Sequence, residues 1–175
     1  LSRLFQVWQL AQPDADATAD ALMGWMKRDH TYTTAVAPDY DRGALPYLVP
    51  GRSLRTLDEL AAIEKVREVF YAEDGRPNDL WRRFADTVSL LNFAKPNLNA
   101  AKPDVLLALG QFDVSQQQNL TDYVTGSGSY QSRGPAYFKD VGEAQRITGG
   151  TGGNTGAFST TISALRINLT VHDGL

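Results

Sequence analysis

The chain has 175 residues and 19.2 kDa, long enough to bury about 70 % of its unfolded surface without help from a metal or disulfide. Hydrophobic residues are 42 % and charged residues 21 %, which excludes wholesale disorder, and 17 basic against 20 acidic residues give net −3, the wrong balance for a nucleic-acid binder. There is no cysteine, so thiolate zinc, iron–sulfur and Cys-nucleophile chemistry are excluded, together with any disulfide framework.

The N-terminal pattern is helical. Leu1, Leu4, Phe5 and Trp8 fall at i, i+3, i+4 and i+7, one face of a helix. Pro13-Asp14 is read as its break. A second helix is expected from about Asp16 to Arg28, with Ala21, Leu22, Trp25 and Met26 inward. Residues 29–55 show no sustained periodicity and carry Pro38, Gly43, Pro46, Pro50 and Gly51 among Tyr32, Tyr40 and Tyr47, the pattern of a long functional or pinned loop. Thr56-Leu57-Asp58-Glu59 is a capping box that opens a helix with Leu57, Leu60, Ile63, Val66 and Phe70 apolar.

Asp74-Gly75-Arg76-Pro77 has turn chemistry, and Asp79 to Val88 reads as a short helix with Leu80, Trp81 and Phe84 inward. Trp8, Trp25 and Trp81 are assigned to core, as aromatics on helix stripes. Lys95 to Asn99 is expected to be extended. Pro103 opens a helix whose stripe Val105, Leu106, Leu109 ends at Gly110, and Ser115 to Val124 is another helix. After about Gly126 charge thins and Gly and Ser increase. Residues 149–156 hold five glycines and are read as a flexible loop. Leu165, Ile167, Leu169 and Val171 alternate with Arg166, Asn168, Thr170 and His172, the pattern of a half-buried antiparallel strand.

No hydrolase, zincin or phosphate-loop motif is present. His30 and His172 read as solvated histidines. Asp29, His30 and Asp39 supply the residues for a metal-assisted hydrolase, and Asp29, Asp39 and Asp41 supply oxygen ligands for a hard cation. The stretch Asn97 to Gly110 resembles half of a helix-hairpin-helix, with Thr56 to Ile63 a weaker copy. That makes a helix-hairpin-helix nucleic-acid-binding protein the rival reading. Asp113 and Glu64 stand near the two turns where such a motif offers glycine and basic residues to phosphate.

Taken in order, four segments resemble the minor pseudopilin K of bacterial type II secretion, the GspK family. They are Trp25-Met26-Lys27-Arg28-Asp29, Val36-Ala37-Pro38-Asp39-Tyr40, Arg52 to Leu60, and Pro96 to Ala101 continuing to Leu109. The resemblance covers about residues 1–125. It implies an α+β fold: a large helical, SAM-like or helix-hairpin-helix-like domain inserted into a small pseudopilin-type antiparallel β-sheet. On that reading 1–126 is the inserted domain and 127–175 returns to the sheet at Phe158 to Val171. The anchoring N-terminal helix would precede Leu1, because the chain starts without Met and no stretch in it is apolar and long enough to span a bilayer.

The resemblance further implies a non-catalytic structural subunit at the pseudopilus tip. It would be bound to other minor pseudopilins, with no nucleic acid and no small-molecule substrate, as the periplasmic domain of an inner-membrane protein of a Gram-negative bacterium. Calcium in the acidic loop is part of what it implies. Lys27 stands where the pattern has an Asp, and Ala37-Pro38 replaces a Gly-Ala-Glu run, so only Asp29, Asp39 and Asp41 carry over as ligands.

Overall fold

The computed structural model describes residues 1–34, 37–41, 46–150, 152–164 and 169–171. The helices are α1 (Ser2–Val7), α2 (Gln12–Met26), α3 (Glu64–Phe70), α4 (Asp79–Thr87), α5 (Pro103–Gly110), α6 (Val114–Thr125) and α7 (Val141–Ile147). Two compact units form, one from 1–90 with 104–109, the other from 91–103 with 110–175. The division expected at 126 falls at Gly126, the left-handed residue that ends α6, inside the second unit.

The expected helical domain set into an antiparallel sheet is overturned: the fold is helical, and no strand occurs among the described residues. Isolated bridges, Tyr71 with Pro77 and Asn97 with Ser159, are the pairings found there. The expected C-terminal strand falls largely outside the described residues, which exclude Leu165, Ile167 and His172. Leu169 and Val171 are 88 % and 86 % exposed. An alternating pattern becomes a strand only where a neighbouring strand pairs with it and a second layer covers its apolar side, and neither is found at these two residues.

In the first unit, α1 and α2 pack as a helical hairpin. Pro13 does not break a helix but sits in the first turn of α2, where its missing N–H is no loss. Between the helices Gln9 takes a left-handed backbone, φ 68°. The core is aromatic: Phe5 meets Phe70 edge-on at 5.8 Å, Phe70 meets Phe84 at 5.2 Å, and Trp8 meets Phe84 edge-on at 6.5 Å. Leu60, Ile63 and Val66 complete it. The helix expected from the capping box to Phe70 is two pieces. A 3-10 turn runs Leu57–Ala62, then Ile63 leaves helical backbone (φ −93°, ψ 109°) and buries its side chain fully before α3 begins.

The middle of α5 also belongs to this unit. Asp104, in the first turn of α5, accepts the Trp8 indole N–H at 2.8 Å and two Arg83 N–H groups at 2.9 and 3.0 Å. The Arg83 guanidinium stands 5.5 Å from the Trp8 ring centre. Trp8 and Trp25 are buried as expected, and Trp81 is half-buried.

In the second unit, Asp113 caps α6 by accepting the Gln116 N–H at 2.8 Å, and Asp140 caps α7 through the Glu143 N–H at 2.9 Å. Its core stacks Tyr123 on Phe138 at 4.6 Å and packs Phe112 near Phe158 at 6.2 Å. The asparagines of the Pro96–Ala101 stretch have structural work. Asn97 accepts the Asn99 N–H at 3.0 Å, opening a 3-10 turn over Leu98–Ala100. Asn99 then clamps the Phe138 backbone, accepting its N–H at 2.7 Å and donating to its carbonyl at 3.1 Å.

The glycine-rich segment is tied down at its described positions. The Gly150 N–H donates to Gln145 O at 2.8 Å and the Asn154 N–H to Gly110 O at 2.5 Å. Gly153 has φ 74°, and a Cβ there would lie 2.2 Å from the Phe112 ring. Gly153 serves close approach to that aromatic ring, and the helix α7 just before the segment was not evident from sequence.

Candidate interaction cleft

Asp20 and Gly24 are four residues apart, so they share a face of α2. Their chemistry organises the chain that follows the helix. Asp20 is buried, and its Oδ1 lies 2.6 Å from His30 Nε2. Its Oδ2 accepts the Thr33 N–H at 2.8 Å, the Thr34 N–H at 2.9 Å and the Thr34 hydroxyl at 3.0 Å. Burial works to raise its pKa, but these bonds outweigh it and hold the carboxyl well below the usual carboxylate range. At Gly24 a Cβ would lie 2.1 Å from the Tyr32 hydroxyl, so only glycine admits Tyr32 against α2. The His30 ring meets Tyr32 edge-on at 5.1 Å.

The rest of the loop is held by Trp25. Tyr40 and Tyr47 stack at 4.9 Å, and each turns toward the indole edge-on, at 5.8 and 6.0 Å. The Tyr47 N–H donates to Tyr40 O at 3.2 Å, the Gly51 N–H to Trp25 O at 3.2 Å, and the Tyr47 hydroxyl to Ala62 O. Burial pushes the Tyr40 hydroxyl up to about 12. Glu59 closes the far end. It accepts the Arg55 N–H at 2.7 Å, the Thr56 N–H at 3.3 Å, Arg52 at 3.1 Å and the Trp25 indole at 3.4 Å. Burial raises its pKa, and those donors together bring it below its ordinary value.

Between the end of α2 and this loop lies an open cleft of about 890 Å³. Lys27, Arg28, Asp39, Asp41, Tyr47 and Leu48 are among its walls. Of the three expected calcium ligands, Asp39 and Asp41 come together there, with the Asp41 N–H donating to Asp39 Oδ1 at 3.2 Å. Asp29 is exposed and is not among the residues lining the cleft. Among the described residues no group of three or more His, Asp or Glu is placed to hold a metal ion.

The expectation of a solvated His30 is corrected. The side chain is 18 % exposed and committed to a buried carboxylate, because Asp20 needs a donor inside. His30 Nε2 is thereby engaged by Asp20, while Asp39 lines the cleft and Asp29 does not. His172 lies outside the described residues. The nucleic-acid reading gains no support. The turn after α5 places Gln111 in the left-handed region, φ 53°, and the carboxylate of Asp113 at the start of α6, where phosphate would have to sit.

Sequence reasoning missed Asp20 and the Asp20–Gly24 pair. The available signal was an acid and a glycine at i, i+4 within an apolar helical stretch.

The family model of type II secretion system protein K matches residues 1–73, a match that supports the resemblance shown by the chain's motifs. No curated protein and no solved structure matches the chain. Among the described residues no helix is long and apolar enough to cross a membrane.

Proposed function

We propose that this chain is a non-catalytic subunit at the tip of the type II secretion pseudopilus, binding other minor pseudopilins on the periplasmic side of the inner membrane. The family match over residues 1–73 carries the reading. The helical bulk of the first unit supports it on steric grounds. A bulky lobe is accommodated in a helical fibre only where no further subunit must stack above it. The test is co-purification of the soluble chain with the soluble domains of the other minor pseudopilins of the same system. Co-elution as one complex on size exclusion is expected, and failure to retain any of them refutes the proposal.

Calcium binding through Asp29, Asp39 and Asp41 is a narrower proposal, supported by the pairing of Asp39 with Asp41 in the cleft. Calcium favours several oxygen ligands, so binding would order the 39–41 turn and raise the melting temperature. Asp39→Asn with Asp41→Asn would abolish that rise. A melting temperature indifferent to millimolar calcium refutes it.

A further inference from the structure

Among the described residues two pairs of tyrosines are in ring contact, and their geometries differ. Tyr40 and Tyr47 stack at 4.9 Å with 29° between the rings. Tyr123 and Tyr130 meet edge-on at 5.3 Å and 79°. Oxidation joins two phenols through the ring carbons beside their hydroxyls. A pair held with those carbons face to face is poised for that step, and an edge-on pair is not.

The stacked pair is held in register from several sides. The Tyr47 N–H donates to Tyr40 O at 3.2 Å and keeps the two backbones together. The Tyr47 hydroxyl donates to Ala62 O, and the Glu64 N–H donates to the Tyr40 hydroxyl. Both hydroxyls are therefore tied to the same short stretch of backbone, and the rings point the same way. The Trp25 indole backs both, edge-on at 5.8 and 6.0 Å. Both phenols line the open cleft and Tyr47 is 38 % exposed, so an oxidant and proton-accepting water reach the pair. The chain has no cysteine, so no thiol is oxidised first.

We propose that Tyr40 and Tyr47 form an oxidative cross-linking site, at which hydrogen peroxide, acting through a one-electron oxidant of the haem-peroxidase class, joins the two rings as dityrosine. Each phenol gives one electron to the oxidant and its hydroxyl proton to water. The two phenoxyl radicals pair their electrons in one Cε–Cε bond. The hydrogen on each bonded carbon then moves to the oxygen of its own ring, which restores both phenols. The protein loses two hydrogen atoms in all, and one peroxide is reduced to two waters. The bond closes residues 40–47 into a covalent ring, in a chain that has no disulfide to hold this loop.

The test exposes the whole folded chain to hydrogen peroxide with a haem peroxidase and maps the products by mass spectrometry. The expected product is a monomer lighter by two hydrogens, with dityrosine fluorescence. Its digest contains the Tyr40–Tyr47 link in clear excess over any Tyr123–Tyr130 link. Tyr40→Phe and Tyr47→Phe each keep the ring and lose nearly all of the monomeric dityrosine, with circular dichroism confirming the fold. Tyr130→Phe leaves the yield unchanged. In urea the yield of the Tyr40–Tyr47 link falls, because the fold holds the rings together. Dityrosine found only between molecules, a Tyr123–Tyr130 link in equal yield, a yield indifferent to urea, or oxidation that stops at Trp25 or the methionines overturns the proposal.

Discussion

Replacing Asp20 with alanine is expected to lower the stability of the first unit by about 3 kcal/mol, the range seen when one partner of a buried pair is removed. The loss has four sources. His30, the Thr33 and Thr34 N–H groups and the Thr34 hydroxyl all lose their acceptor. With a side chain 6 % exposed, the site admits little water to replace it. Urea unfolding of the two proteins, followed by tryptophan fluorescence, measures the difference. A change below about 0.5 kcal/mol would mean that the carboxylate is a bystander.

The same residue sets an acid limb. The folded protein holds the Asp20 carboxyl below its ordinary 3.8. Its contribution is therefore complete above that value and is lost as pH falls toward the folded value. Wild type should lose stability between about pH 4 and pH 2 more steeply than Asp20→Asn, which has no such proton to take up. Parallel acid limbs in the two proteins would contradict the geometry.

The second large effect is expected at Asp104. Asp104→Ala leaves the Trp8 indole N–H without an acceptor in the core and releases both Arg83 contacts. The Arg83 side chain is 45 % exposed, so its ion pair is screened and contributes little. The orphaned indole dominates, at about 2 kcal/mol. Asp104→Asn keeps an acceptor for Trp8 and is expected to cost about half as much. Equal losses in the two variants would show that the charge, and not the acceptor, matters. Amide hydrogen exchange in α1 should rise in Asp104→Ala, because Trp8 caps that helix.

Much of the local structure was legible. The i, i+3, i+4 spacings of α1, α2 and α4 mark helices whatever surrounds them, because the period is a property of the backbone. Asp79 to Val88 is found as α4, Asp79–Thr87, with Phe84 buried as the stripe requires. Thr56-Leu57-Asp58-Glu59 does what its spacing dictates, Glu59 reaching back to the Thr56 N–H. Where spacing and packing competed, packing won. Ile63 abandons the helix because its side chain is fully buried, and Leu109, on the expected stripe of α5, is left 42 % exposed.

The cleft was legible only in part. The tyrosines and the acids of residues 29–55 stand out as composition, but composition has no direction. Asp39 and Asp41 are two residues apart, and a turn brings them together through the Asp41 N–H. The bond between Asp20 and His30 spans ten residues and a helix terminus. No local pattern specifies it, because it forms only once α2 has buried one face and the chain has turned back over Gly24.

By itself, then, the sequence determined the helical character of most of the chain, its cysteine-free and acidic chemistry, and an order of motifs that resembles a secretion-system family. Tertiary structure alone decided that a strand pattern at the end goes unpaired at its described residues, that the middle of α5 completes the N-terminal unit through Asp104, and that His30 faces inward. The reason is common to all three. Helices are closed by hydrogen bonds within a few residues of chain, whereas strand pairing, buried ion pairs and cross-chain clamps need a partner brought by the fold.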